Sequence, residues 1–147
     1  MYKNPTPVAV GLIRVGDSAD LKLIAIRRSI EPFIGGLALP GGYVNEGESA
    51  EVAVAREVYE EIGMVTVPGH WRPVLTRVTP DNKLLIFMRH IVPLTTEQYH
   101  HNVPNLFIVA NNFTPNAEVS ELVLVDTGDT LCFPLHQEVL LSKSLWE

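Results

Sequence analysis

Three carboxylates, Glu57, Glu60 and Glu61, stand within one stretch of five residues, downstream of the turn Pro40-Gly41-Gly42. An α-helix advances about 100° per residue, so these three acids fall within an arc of about 100° and share one face. Clustered anions repel one another unless something neutralises them, and hard divalent cations prefer carboxylate and carbonyl oxygen. Magnesium takes only a few protein oxygens while keeping waters and bridging substrate phosphates, so the pattern suits a magnesium-diphosphate site. For an E-x-x-E-E run on its own, a solvated acidic face with Arg56 paired locally is the alternative. The glycine turn favours the first reading, because glycine lets backbone groups approach a metal or phosphate with no Cβ in the way.

The element that must hold these acids is a helix over residues 49–62, with Ser49 as its cap, Glu51 in its first turn and Gly63 just past its end. Val54, Ala55, Val58 and Ile62 lie on the other side of the same wheel, so the helix packs on a sheet and turns its acids outward. Residues 8–15 and 21–26 are β-rich runs on either side of Gly16-Asp17-Ser18-Ala19-Asp20 and read as a first hairpin. Residues 31–36 form a loop, 37–39 a short strand ended by Pro40, and 71–79 and 83–92 two strands flanking Pro80-Asp81-Asn82. Short strands at 106–110 and 122–125 follow, then a C-terminal helix over 134–145 that starts on Pro134 and turns Leu135, Val139 and Leu145 to one side. The order is mixed rather than strictly βαβ, and there is no internal repeat, linker or low-complexity tract.

With 147 residues and 46% hydrophobic content, the chain fits one domain, residues 1–147, around one core. A formal net charge of -6 argues against a binder of nucleic-acid polymers, so any nucleotide partner is small and metal-complexed. Cys132, the single cysteine, sits between Leu131 and Phe133, which excludes an intrachain disulfide or cysteine zinc site and makes it a small core hydrophobe. The start, Met1-Tyr2-Lys3-Asn4-Pro5, has no apolar signal region, and nowhere do about 18 apolar residues run together. The expectation is a soluble cytoplasmic protein with no membrane partner.

Gly42, Glu48, Arg56, Glu57, Val58, Glu60, Glu61, Gly63 and Met64 follow the spacing G-x5-E-x7-R-E-U-x-E-E-x-G-U, with U a bulky aliphatic residue. Chance would place its seven fixed positions on the order of once in 10⁸ or 10⁹ starting points. This pattern resembles the box of the Nudix hydrolases. The resemblance implies an α/β/α sandwich with a mixed β-sheet, and a Mg²⁺- or Mn²⁺-dependent attack of water on a diphosphate. It implies Glu57 and Glu61 as metal ligands with Glu60 a further one, the Gly41 carbonyl beside them, and Gly42 against the substrate. Arg56 and Glu48 resemble the pair that ties the loop to the helix and orients the carboxylates. The lead-in Leu23-Ile24-Ala25-Ile26-Arg27-Arg28 resembles the family's strand before the loop, where an arginine at the place of Arg28 reaches substrate or stays on the surface. The run from Leu131 to His136 resembles the start of the terminal helix in small members. The general base stays open between Glu60 or Glu57 in the box and Glu118 or Glu121 in a later loop, with Glu97 behind them.

Pro80, sixteen residues after Met64, resembles the mark of ADP-ribose pyrophosphatases, although Pro80-Asp81-Asn82 also makes an ordinary turn. The Ser-Gln-Pro-Trp-Pro-Phe-Pro signature and zinc cysteines of NADH diphosphatases are absent. ADP-ribose or a nucleoside diphosphate sugar is therefore the expected substrate. A MutT-like nucleoside triphosphate pyrophosphohydrolase and a non-catalytic ADP-ribose sensor are the alternatives. The family resemblance also implies a homodimer, and Phe33 either stacks on a base or fills the apolar floor of the cleft.

Overall fold

Apolar side chains alternate along the central strands, and the two sets face two different helices. In the computed structural model, which describes residues 3–17, 19–101, 108–111 and 113–147, β1 (Thr6–Leu12) carries Ala9 toward one core and Val10 and Leu12 toward another. Strand β2 (Arg14–Val15) follows, and β3 (Lys22–Arg28) repeats the alternation, with Ile24 and Ile26 on the first side and Leu23 and Ala25 on the second. After β3 come β4 (Leu37–Ala38) and β5 (Gly41–Tyr43), then α1 (Ala50–Ile62) and β6 (Met64–Thr66). A 3-10 turn at Pro68–His70 leads to β7 (Trp71–Val78) and β8 (Lys83–His90). The chain closes with α2 (Thr96–His101), β9 (Ile108–Asn111), β10 (Val119–Val125), α3 (Pro134–Leu141) and a 3-10 turn at Lys143–Leu145.

One sheet runs β5-β1-β8-β7 and is mixed: β1 is parallel to β8 and antiparallel to β5. A second runs β10-β3-β2 with β4 also on β3, and β6 pairs with β9. The side chains of α1 pack into the first core through Val54, Val58 and Ile62, while Val139, Leu140 and Trp146 from α3 and the turn beyond it fill the second. This is the expected mixed sheet with a helix over each face. Each fully buried Val or Ile of α1 contributes about 1.5–3 kcal/mol, so packing anchors the helix and its carboxylates are not needed to hold it.

Three expectations change in detail. The run at 8–15 is not one arm of a hairpin: β1 pairs with β5 and β8, and only Arg14 and Val15, beyond Ile13, pair with β3. One apolar stretch thus serves two sheets, which periodicity alone does not reveal. The C-terminal helix stops at Leu141, where Ser142 takes a non-helical conformation, and Leu145 belongs to the following 3-10 turn. Of the strand expected at 106–110, residues 106 and 107 lie outside the described residues, and β9 begins at Ile108. Among the described residues no helix is long and apolar enough to cross a membrane.

Candidate active site

Helix α1 begins where the sequence places it. Ser49 Oγ accepts the Val52 N–H at 3.2 Å, satisfying one of the free donors of the first turn. Gly63 ends the helix at φ 72°, a left-handed conformation that costs glycine little, with its N–H on the Tyr59 carbonyl. Between these ends the three acids part company. Glu61 is 6% exposed and the Glu57 side chain 12%, whereas Glu60 keeps 54% of its side chain in solvent.

Glu57 and Glu61 meet the glycine turn. The Gly41 N–H donates to Glu61 Oε1 at 2.7 Å. At Gly42 a Cβ would overlap the Glu57 carboxylate, and at Gly41 it would overlap the backbone of Ala9 on neighbouring β1. Both positions need glycine for close approach: Gly42 so that a carboxylate can lie on the loop, Gly41 so that β5 can pair with β1.

Arg56 joins helix to loop. Its Nε and Nη2 donate to the two oxygens of Glu48 at 2.8 and 3.0 Å, and Nη2 also reaches the Tyr43 carbonyl at 3.0 Å. Nη1 donates to Glu57 Oε1 at 2.9 Å and Glu60 Oε2 at 3.2 Å. Such forked pairing fixes geometry as well as charge. The Arg56 bonds and the Asn45 N–H hold the Glu48 carboxyl below the usual range, and Glu48 in turn raises the Arg56 guanidinium. For Glu57 burial outweighs Arg56, so its carboxyl lies above the ordinary value. Burial pushes Glu61 up to about 8 against the Gly41 bond, with the charges of Glu57 and Glu118 acting the same way.

These acids line a cleft of about 970 Å³. Phe133 lies against both Arg28 and His136 in its lining, Lys83 lies over the Tyr43 ring, and Pro80 and Glu118 line the same cleft. Arg28 is pinned by donating from Nε to the Pro32 carbonyl at 2.7 Å and from Nη2 to the Glu31 carbonyl at 3.3 Å, and its guanidinium lies 5.1 Å from the centre of the Phe133 ring. The structure therefore brings together Arg28, Gly41, Gly42, Glu57, Glu61 and Glu118, with Arg56 and Glu48 behind them. It does not bring in Glu60, which Arg56 holds at the solvent side, or Glu121, which pairs with Arg27. Glu97, in the first turn of α2, is also outside the cleft lining, and Phe33 is half-exposed with its ring edge-on to Phe133 at 5.5 Å.

Among the described residues no three His, Cys, Asp or Glu side chains form a ready-made metal cage. Two adjacent carboxylates that burial makes reluctant to ionise are nevertheless a fit for magnesium, which needs few protein oxygens and completes its shell with water and phosphate. Glu57 and Glu61 would hold such an ion beside the loop. His136, Tyr43 and Lys83 also line the cleft without any motif in the sequence marking them. Tyr43 follows Gly42 directly and could have been suspected from adjacency, but His136 meets Leu39 across 97 positions of sequence, a contact no local pattern carries.

The family model described as the NUDIX domain matches residues 5–135. An ADP-ribose pyrophosphatase of Methanocaldococcus jannaschii is 42% identical over 65 residues, 44% of this chain and 36% of that protein, so the matched segment spans about a third of that curated relative. The crystal structure of a MutT/nudix family protein from Enterococcus faecalis superposes with a TM-score of 0.60 at 22% identity, covering 84% of this chain and 44% of its own. The NUDIX domain of Shewanella oneidensis NrtR, solved with ADP ribose, gives a TM-score of 0.68 at 18% identity over 97% of this chain and 88% of its own. At these identities the two structures speak to the fold.

Proposed function

We propose that this chain, which belongs to the NUDIX family, hydrolyses the diphosphate bond of a nucleoside diphosphate linked to another group, most readily ADP-ribose or a nucleoside diphosphate sugar. The observation that carries this reading is the convergence of Glu57 and Glu61 on Gly41 and Gly42 at the edge of a large cleft. A bound magnesium ion supplies Lewis acidity, polarising the phosphoryl oxygens and offsetting the charge of the carboxylates. The chain's own part is to hold Glu57 against the loop through Arg56, to fix Glu61 through the Gly41 N–H, and to accept a proton from the attacking water. Glu118 suits the last role better than Glu121: it lines the cleft, while Glu121 is engaged with Arg27. Glu57 is the alternative base. Arg56 and Glu48 are positioning residues.

The substrate class rests on the size of the cleft and on Pro80. A diphosphate between two bulky groups needs room beside the acids, and a cleft of about 970 Å³ lined by Glu57, Glu61 and Pro80 supports that reading. The likeness over 65 residues to the ADP-ribose pyrophosphatase of Methanocaldococcus jannaschii supports the same reading. The protein is further proposed to act in the cytoplasm as a homodimer, which size-exclusion chromatography with light scattering checks. For the substrate, kcat/KM is compared among ADP-ribose, a nucleoside diphosphate sugar and deoxynucleoside triphosphates at equal magnesium. A triphosphate preferred by about tenfold, more than 1 kcal/mol of transition-state discrimination, would overturn the substrate assignment. Tight binding of ADP-ribose without turnover would make the protein a sensor instead.

A further inference from the structure

His136 is a buried titratable group that lines the cleft and for which the proposed chemistry has no use. It sits in the first turn of α3, and its Nδ1 accepts the Leu39 N–H at 3.1 Å. Leu39 stands immediately before Pro40-Gly41-Gly42, so the ring is tied to the base of the loop that receives Glu57 and Glu61. A ring nitrogen that accepts a backbone N–H carries no proton, which places the proton of the neutral imidazole on Nε2. Neutrality itself is enforced by burial, followed by the Arg28 charge, which together push the ring down to about 4. The packing holds this orientation: Phe133 lies 5.1 Å away and Phe87 6.0 Å, centre to centre.

No acceptor among the described residues meets Nε2. Unlike His90 Nε2, it is not one of the sealed, unpartnered nitrogens of the core, and His136 lines the cleft. Beside it Arg28 faces the same space and has no carboxylate in an ion pair with it among the described residues. A neutral donor of fixed tautomer next to a cation held by backbone carbonyls, with its charge not paired to a carboxylate among the described residues, is an arrangement for recognising oxygen acceptors.

We propose that His136 is a substrate-binding residue of this cleft, donating its Nε2–H to an oxygen of the nucleoside diphosphate compound. The inference rests on the reading of the cleft given under the proposed function. The acceptor is a phosphoryl oxygen or a sugar hydroxyl, and the experiment separates the two.

In His136→Asn the side-chain oxygen occupies roughly the place of Nδ1 and keeps the Leu39 bond, while the donor at the Nε2 position is lost. His136→Gln reaches the Nε2 position with an amide N–H. For whichever diphosphate of the panel the wild-type enzyme cleaves fastest, His136→Asn is expected to raise KM about three- to tenfold, the effect of one neutral hydrogen bond, with kcat nearly unchanged. His136→Gln is expected to recover part of that loss. Because the ring stays neutral, the ratio of wild-type to variant KM should be flat from about pH 6 to pH 9. With ¹⁵N-labelled histidine, long-range ¹H–¹⁵N spectra should show Nε2 protonated and Nδ1 bare at neutral pH. Inorganic diphosphate serves as a competing inhibitor: weaker inhibition of His136→Asn assigns the acceptor to phosphate, and unchanged inhibition assigns it to the sugar. An unchanged KM in an active, folded His136→Asn enzyme overturns the inference alone, as does a proton on Nδ1. A wild-type enzyme that cleaves no diphosphate of the panel removes the functional reading and the inference with it.

Discussion

Replacing Glu61 by Gln tests whether this carboxylate is built to meet a cation. The wild-type side chain is 6% exposed and its carboxyl is pushed up to about 8 from an ordinary 4.5. In the unfolded chain the proton leaves near the ordinary value, so between the two values the folded state binds more protons than the unfolded one. The stability this group contributes is therefore complete below the unfolded value and declines as pH rises to the folded one. The full decline is on the order of 5 kcal/mol, of which about 2 kcal/mol falls between pH 6 and pH 8. Gln keeps an oxygen for the Gly41 N–H and cannot ionise, so it escapes this loss. Urea unfolding in a chelator, followed from about pH 6 to pH 8, should show wild-type stability falling relative to Glu61→Gln by about 2 kcal/mol. Adding magnesium at pH 8 should restore the wild type, because a ligand that binds only the folded state stabilises it, and should do little for the variant. Parallel pH profiles, or equal stabilisation of both proteins by magnesium, would refute this reasoning.

Glu57→Gln should lower kcat by about 10²-fold or more, since several kcal/mol of transition-state stabilisation depend on metal placement, while thermal unfolding stays near wild type. Wild-type turnover in this variant would remove Glu57 from the site. Gly42→Ala and Gly41→Ala should separate activity from folding: the new methyl group displaces only the flexible Glu57 carboxylate in the first but meets β1 backbone in the second. Circular dichroism melting and turnover together check this, with Gly42→Ala expected folded and nearly inactive and Gly41→Ala less stable. Glu48→Gln keeps part of the Arg56 pairing and should cost about tenfold in activity, chiefly through a higher magnesium requirement measured by metal titration.

The helix and its loop were legible because each rule involved is local. Ser49, Gly63 and the apolar side from Val54 to Ile62 specify the element without reference to the rest of the chain. Arg56 and Glu48 were legible through the family pattern, and they stand at hydrogen-bond distance. What sequence could not separate was the environment of three acids on one face. Depth of burial, set by the sheet and the glycine turn, turns Glu61 inward and leaves Glu60 to solvent. The division of residues 8–15 between two sheets was hidden for a similar reason, since strand pairing is chosen by partners far along the chain. His136 was hidden because its role follows from a single bond to Leu39.

The most direct test of the central claim is hydrolysis of ADP-ribose in ¹⁸O-labelled water with magnesium, read by mass spectrometry of the products. Attack of water on phosphorus should place the label in the phosphate of AMP or of ribose 5-phosphate, a chelator should abolish product formation, and the Glu57→Gln substitution should slow it by about 10²-fold or more. Label on a sugar carbon, or unchanged product formation in the chelator, would contradict metal-assisted cleavage of the diphosphate at Glu57 and Glu61.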